Sequence, residues 1–213
     1  MLSSQDVVIL FTRYPSPGKC KTRLIPQLGQ EGAALIHRQL VTHTLKILTD
    51  FFTWKNNTEF IIYHDSDSHR MMENWLGCNY LYKEQRGYDL GQRMADALLY
   101  ALEKTQNCIL LGSDCPDITA PLLNEALQAL QQKDMVLGPA HDGGYYLIGV
   151  SNTIKPDACR HLFKEIPWGD DTVFAKTLER AQELGLNTHI LKKLHDIDCV
   201  EDLKHFHHCS HPE

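Results

Sequence analysis

An apolar run, Cys108 to Leu111, ends abruptly in Gly112-Ser113-Asp114-Cys115-Pro116-Asp117, and this junction constrains the chain more than any other stretch. The run is short, continuous and bounded by glycine, which suits an interior strand of a parallel sheet better than an amphipathic helix. Pro116 then prevents the strand from continuing. In open α/β sheets the ligand crevice lies beyond the carboxyl ends of the strands, so Asp114 is expected to face substrate. Oxygen ligands of this kind suit a hard cation such as Mg2+ or Mn2+, and Asp114 is the candidate for it. Asp117 is expected to help start the helix that follows Thr119, Ala120 and Pro121.

The rest of the chain supplies the strands and helices such a sheet needs. With 213 residues it is long enough for one domain with a sizeable core. Asp6 to Thr12 reads as a first, mostly apolar strand, Glu31 to Leu48 as an amphipathic helix, and Glu59 to Tyr63 as a second strand. A short helix capped by Ser66 or Asp67 and closed by Gly77 follows. Tyr80 to Lys83 is a strand, Met94 to Glu103 a helix, Pro121 to Gln132 a helix and Met135 to Leu137 a strand. A helix from about Asp171 to Leu184, a strand near His189 to Leu191 and a terminal helix complete the alternation. The rhythm is that of a βαβα protein. His37 and His43 are expected at the surface of their helix. The group His64, Asp65, Asp67 and His69 is read as capping residues, since no ligand spacing is evident.

Composition excludes several classes. The apolar run Val7 to Phe11 is too short to span a membrane, and no basic segment precedes it, so the expected location is the cytoplasm. A net charge of -6 argues against sequence-independent binding to nucleic acid. The seven cysteines form no C-x-x-C pair and are expected to be reduced thiols. The His-rich tail after about residue 204 is assigned no role.

Four segments carry candidate chemistry. Directly after the first strand, Arg13 to Leu24 combines Pro17 and Gly18 with Arg13, Lys19, Lys21 and Arg23, four basic residues in eleven positions. It either wraps nucleotide phosphates or is a solvated basic turn. It is not a P-loop: Arg13 stands where the first glycine belongs, and Cys20 follows Lys19. Gln85 to Met94 places Gly87 and Gly91 around Asp89 before a helix amino terminus, a place where backbone N–H groups favour anions. His141-Asp142-Gly143-Gly144 leads into the apolar run Tyr145 to Val150, as a ligand-facing turn or a plain hairpin. Leu194 to Leu203 brings Asp196 and Asp198 between a strand and the terminal helix.

Pro-Gly-Lys-x-Lys-Thr-Arg-Leu, Gln85 to Arg93, Gly-Ser-Asp-Cys-Pro-Asp, His-Asp-Gly-Gly-Tyr-Tyr and Asp-Ile-Asp-Cys-Val-Glu-Asp-Leu, in this order from Val7 to Leu203, resemble one family. It is the bacterial selenodomain-associated transferases, glycosyltransferase-A-like proteins of the nucleotide-diphospho-sugar transferase superfamily. The resemblance implies a Rossmann-like α/β fold, a mostly parallel sheet with helices on both faces. It further implies a nucleotide donor, a small-molecule acceptor and Mg2+ or Mn2+. Gly18, Lys19, Lys21 and Arg23 would hold donor phosphates, with Pro17 shaping their loop, and Gln85 with Gly87 would lie near the base. Asp89 and Ser113 are grouped with these nucleotide contacts. Asp114 would ligate the metal, with Asp198, or else Asp196, as second ligand. Lys21 and Arg23 would stabilise charge during transfer, and Asp142 would act on the acceptor side. The chain departs from the D-x-D signature of glycosyltransferases, since two residues including Pro116 separate Asp114 from Asp117. That favours nucleotidyl transfer from an NTP over sugar transfer from an NDP-sugar, with a non-catalytic nucleotide-binding protein as a third reading.

Overall fold

The computed structural model describes residues 6–55, 57–65 and 69–206. Seven strands form a single sheet in the order β3-β2-β1-β4-β6-β5-β7. The strands are β1 (Asp6–Thr12), β2 (Thr58–His64), β3 (Leu81–Glu84), β4 (Asn107–Leu111), β5 (Met135–Pro139), β6 (Tyr145–Ser151) and β7 (Thr188–Ile190). The helices are α1 (Ile25–Trp54), α2 (His69–Leu76), α3 (Leu90–Leu102), α4 (Ala120–Ala129), α5 (Pro156–Leu162) and α6 (Val173–Glu183). The sheet is mostly parallel, as expected. Only β6 runs against its neighbours, antiparallel to both β4 and β5. β4 therefore has a parallel neighbour in β1 and an antiparallel one in β6, not two parallel ones.

Both faces of the sheet are covered, and the strand period of two decides which residue serves which face. Val8 and Leu10 of β1 join Ile109 and Leu111 of β4 against Val41, Leu45 and Leu48 of α1 and Leu123 and Leu127 of α4. Val7, Ile9 and Phe11 join Cys108 and Leu110 on the opposite face, against Met94 and Leu98 of α3 and Leu162 of α5. This double burial is why β1 and β4 are continuously apolar.

Several local expectations need correction. α1 extends beyond Glu31–Leu48 in both directions, because Pro26 starts it and Gly29, at φ 71°, only kinks it. His37, expected at the surface, is 5% exposed and lies on the apolar side of α1. His43 is half-buried, its Nε2 within 2.9 Å of the Pro116 carbonyl. Asp117 does not cap α4; the Thr119 hydroxyl accepts from the Leu122 N–H instead. The terminal helix is a 3-10 segment, Val200–His205. Ser66 and Asp67, expected to cap α2, and the tail from residue 207 lie outside the described residues. Cysteines 20, 78, 108, 115, 159 and 199 are free thiols, as expected. Among the described residues no helix is long and apolar enough to cross a membrane.

Candidate active site

The carboxyl ends of β1 and β4 open into a cleft of about 470 Å³. The loop after β1 forms one wall and brings Arg13, Lys19, Lys21 and Arg23 to it. The turn after β4 brings Ser113 and Asp114, and Asp198 arrives from the irregular segment after β7. This segment is fixed by the Ile197 N–H, which donates to the Asp114 carbonyl at 2.9 Å, and by Ile197 packed against Leu40 and Phe206. The Asp202 carboxylate accepts from the N–H groups of Asp198 and Cys199.

Lys21 is the centre of the arrangement. Its side chain is 4% exposed, and Nζ lies 2.9 Å from Asp114 Oδ1 and 3.6 Å from Asp198 Oδ1 while donating to the Ile197 carbonyl at 2.5 Å. Its backbone is left-handed, φ 47° and ψ 46°, a conformation costly for a residue with a side chain. Such strain persists only where surrounding contacts impose it, and here they aim one long side chain between two carboxylates. Burial would lower the Lys21 pKa, but the charges of Asp114 and Asp198 outweigh it and hold the ammonium above its ordinary value. Burial likewise pushes the Asp114 carboxyl up, and the charge and hydrogen bond of Lys21 more than reverse that, leaving it below the usual carboxylate range. Both groups are thus ionised near neutrality. Arg23 Nη1 donates to Asp198 Oδ2 at 2.6 Å from the outer side.

Other acids stand close by. Asp196 is pushed up to about 6, first by burial and next by the charge of Asp142. Asp142 is exposed at the turn between β5 and β6, and its Oδ1 accepts from the Gly144 N–H at 2.8 Å. It is a hairpin residue standing beside Asp196, outside the lining of the cleft. Gly143 was expected to admit a ligand, but its space is taken by the chain: a Cβ there would lie 1.9 Å from the Asp171 carbonyl oxygen. The turn is further tied to α6 by the Phe174 N–H, which donates to the Gly143 carbonyl.

Of the residues singled out in the sequence, Lys19, Lys21, Arg23, Gln85, Ser113, Asp114 and Asp198 line one cleft. Pro17 and Gly18 shape the loop behind it without lining it. Gly87 and Asp89 are not brought to it: both border a neighbouring groove of about 1150 Å³. The Asp89 carboxylate accepts from the Gln92 N–H and so fills the amino terminus of α3 that was expected to receive an anion. Gly87, at φ 141°, is needed where a Cβ would meet the Arg93 nitrogen at 2.8 Å. Several lining residues were not singled out in the sequence, among them Thr12 and His37. Thr12 ends β1 at the cleft wall with its hydroxyl oxygen buried, and His37 places Nε2 3.1 Å from the Arg13 carbonyl. His37 was legible, since positions 34, 37 and 41 fall on one helical stripe with Ala34 and Val41.

Residues 48–170 match the family described as "uncharacterized protein conserved in bacteria (DUF2064)". The chain belongs to that family. A candidate nucleotide-diphospho-sugar transferase from Desulfovibrio desulfuricans G20 is 35% identical, with a TM-score of 0.86 over 95% of this chain and 86% of that one. The 2-phospho-L-lactate guanylyltransferase of Methanobrevibacter smithii is 28% identical over 190 residues, spanning 87% of this chain and 77% of that protein. The 4-diphosphocytidyl-2C-methyl-D-erythritol synthase of Anaerococcus prevotii, 12% identical over 95% of this chain and 94% of that one, shares the fold with a TM-score of 0.61. Family and fold are those of the nucleotide-diphospho-sugar transferase superfamily.

Proposed function

We propose that this protein is a transferase that passes a nucleotidyl group from a nucleoside triphosphate to a small phosphorylated or sugar-like acceptor, releasing pyrophosphate, with Mg2+ or Mn2+ as cofactor. The observation that carries this reading is the meeting of Lys21, Asp114 and Asp198 at one point, at the strand ends of a sheet shared with nucleotidyltransferases. The guanylyltransferase relative points to the same reaction class.

The donor set supports a hard cation. Asp114 and Asp198 both present carboxylate oxygens at the cleft, the kind of donor a hard cation takes. Among the described residues no group of three or more His, Cys, Asp or Glu could hold a metal ion by itself. Magnesium does not need one, because it commonly binds through one or two carboxylates together with substrate phosphates. When bound with the nucleotide, the ion would neutralise phosphate charge and polarise the phosphorus under attack.

The chain's own residues do the rest. Lys19 and Arg23 face the cleft, with Arg23 63% exposed and able to turn from Asp198 to a phosphate. Lys21 adds a fixed positive charge where charge builds on the departing pyrophosphate. The acceptor oxygen attacks the α-phosphorus, the bond to the bridging oxygen breaks, and no covalent enzyme intermediate is needed. Asp142 and Asp196, the latter protonating near 6, stand together outside the cleft lining, and in this reading the acceptor would lie against them so that they orient its hydroxyl or take its proton.

The test is pyrophosphate release on mixing with each NTP, magnesium and candidate acceptors; release of a nucleoside diphosphate from an NDP-sugar would favour glycosyl transfer instead. Asp114→Asn should abolish magnesium-dependent nucleotide binding in a folded protein, and unchanged metal dependence would refute the assignment.

A further inference from the structure

The loop after β1 brings four cations to the cleft, and Arg13 differs from the others in what it holds. Its Nε lies 3.1 Å from Oδ2 of Asp65, the residue that follows β2, and its Nη1 donates to the Lys19 carbonyl at 2.9 Å, six positions along its own loop. A guanidinium is a rigid planar fork, so the angle between these two contacts is set and the position of Asp65 is passed on to the backbone of Lys19. The Asp65 side chain is 20% exposed, which shields the pair in part from water.

The main chain of Arg13 is fastened as well. Its carbonyl lies 3.1 Å from His37 Nε2, and since a carbonyl cannot donate, the ring nitrogen does. The carbonyl of Thr12, one residue earlier, accepts from Gln85 Nε2 at 3.1 Å. What Arg13 governs from this fixed base is the approach to Lys21. The Lys19 N–H donates to the Ser16 carbonyl at 3.1 Å, and the buried Cys20 thiol donates to the same carbonyl at 3.4 Å. Lys21 comes next, in the left-handed backbone that only surrounding contacts can impose. Releasing the Lys19 carbonyl removes one of those contacts two residues before the ammonium that sits between Asp114 and Asp198.

Resting on the nucleotidyl-transfer reading above, we propose that Arg13 is a positioning residue of this loop and not one of its phosphate ligands, and that Asp65 aims it. Lys19, Lys21 and Arg23 then meet the phosphates, and the Asp65–Arg13 pair keeps Lys19 and Lys21 where they can. The two possible roles of Asp65 predict opposite signs. A carboxylate near a phosphate site repels the ligand, so if Asp65 acted through its charge alone, removing that charge would tighten binding. If it aims Arg13, removing it frees the guanidinium and binding weakens.

The experiment is calorimetric binding of inorganic tripolyphosphate and of the common ribonucleoside triphosphates in magnesium, with melting temperatures measured alongside. The variants are Asp65→Asn, Asp65→Glu, Arg13→Lys and the double variant of Arg13→Lys with Asp65→Asn. Asp65→Asn keeps the shape and removes the charge, and it should weaken every one of these ligands about tenfold, the scale of one hydrogen bond. Asp65→Glu keeps the carboxylate and should bind close to the parent. Arg13→Lys keeps the charge without the fork, so it should lose about as much as Asp65→Asn, and the double variant should lose no more than either, because both changes break one linkage. Asp65→Asn binding tripolyphosphate as tightly as the parent or tighter, Arg13→Lys at parent affinity, or equal losses in Asp65→Asn and Asp65→Glu each overturn the inference while leaving nucleotidyl transfer standing. A fall in melting temperature with affinity unmoved overturns it too, since the pair would then serve stability alone. If the parent binds neither tripolyphosphate nor any nucleotide, the donor reading of the cleft fails and the inference falls with it.

Discussion

Replacing Lys21 with Met tests the arrangement at its most buried charge. The methionine side chain is unbranched and of similar reach, so it fills the space while removing the ammonium from Asp114, Asp198 and the Ile197 carbonyl. Breaking a fully buried ion pair on one side costs about 3–5 kcal/mol. Here the Asp114 side chain keeps 49% of its surface open to the cleft and water can reach it, so the appropriate scale is that of one charged hydrogen bond, about 1.5–3 kcal/mol. At about 2–4 °C per kcal/mol for a chain of this size, the melting temperature should fall by roughly 3–12 °C. Asp114 is held below its ordinary 3.8, so its share is present above that value and is lost as pH falls through the depressed pKa. Lys21 is raised above 10.5, so its share is present below that value and is lost as pH rises through the raised pKa. The gap between parent and variant should therefore be flat from about pH 5 to 9 and narrow outside it. Adding magnesium should recover part of the loss in the variant, because a ligand at a hundred times its dissociation constant adds about 2.7 kcal/mol to the native state. Thermal melts with and without magnesium at low salt measure all three quantities. A melting temperature unchanged at pH 7.5 would refute the reasoning, since Lys21 would then be contributing nothing between the two carboxylates.

Three further outcomes follow from the same geometry. Asp196→Asn removes a carboxyl whose folded pKa, about 6, lies above its ordinary 3.8, so charging it costs the folded state progressively from pH 3.8 to 6. The variant should melt higher than the parent above pH 6 and equally near pH 4, and a difference independent of pH would contradict this. Gly143→Ala forces a side chain onto φ 92° and into the Asp171 carbonyl; the strain alone is about 1–3 kcal/mol, and denaturant unfolding should show at least that loss. Arg23→Ala, if the guanidinium turns to a phosphate, should weaken nucleotide binding about ten- to a hundredfold by calorimetry, while a solvated-turn role would leave affinity unchanged.

The fold was legible where one residue pattern admits one structure. Continuous apolar runs at Val7–Phe11 and Cys108–Leu111 require burial on both faces, and the described sheet gives each of them two covering layers. The antiparallel direction of β6 was signalled by Asp142-Gly143, a common hairpin pair, but the same glycines also suit a ligand turn, and only the approach of Asp171 separates the two. The helix read from apolar periodicity, Glu31 to Leu48, fell short of α1 because Pro26 starts it upstream and the packed helix tolerates the kink at Gly29. For the site, residue types were legible and partnerships were not. The contact of Lys21 with Ile197 joins positions 176 residues apart, and nothing local in either segment states it. Asp89 and Gly87 illustrate the opposite failure: a helix amino terminus attracts anions in general, but here the chain supplies its own carboxylate.

The placement of Asp198 shows how the scaffold makes an irregular segment precise enough for a site. Leu194 bridges to Ala140, the Ile197 N–H is held by the Asp114 carbonyl, and its own carbonyl is held by Lys21. Asp202, one turn later, accepts from the N–H groups of Asp198 and Cys199 and fixes the direction in which the chain leaves. Two of these tethers join backbone to backbone, and Lys21 and Asp202 bring side chains to backbone groups, so the segment's polar groups are satisfied without a regular strand. The Asp198 carboxylate takes no part in these tethers and meets Lys21 and Arg23 at the cleft instead. The same holds for Asp114, whose carbonyl, not its carboxylate, fastens the two segments together. Carboxylates from the turn after β4 and from the irregular segment after β7, far apart in sequence, thereby meet on one ammonium without a helix or strand of their own.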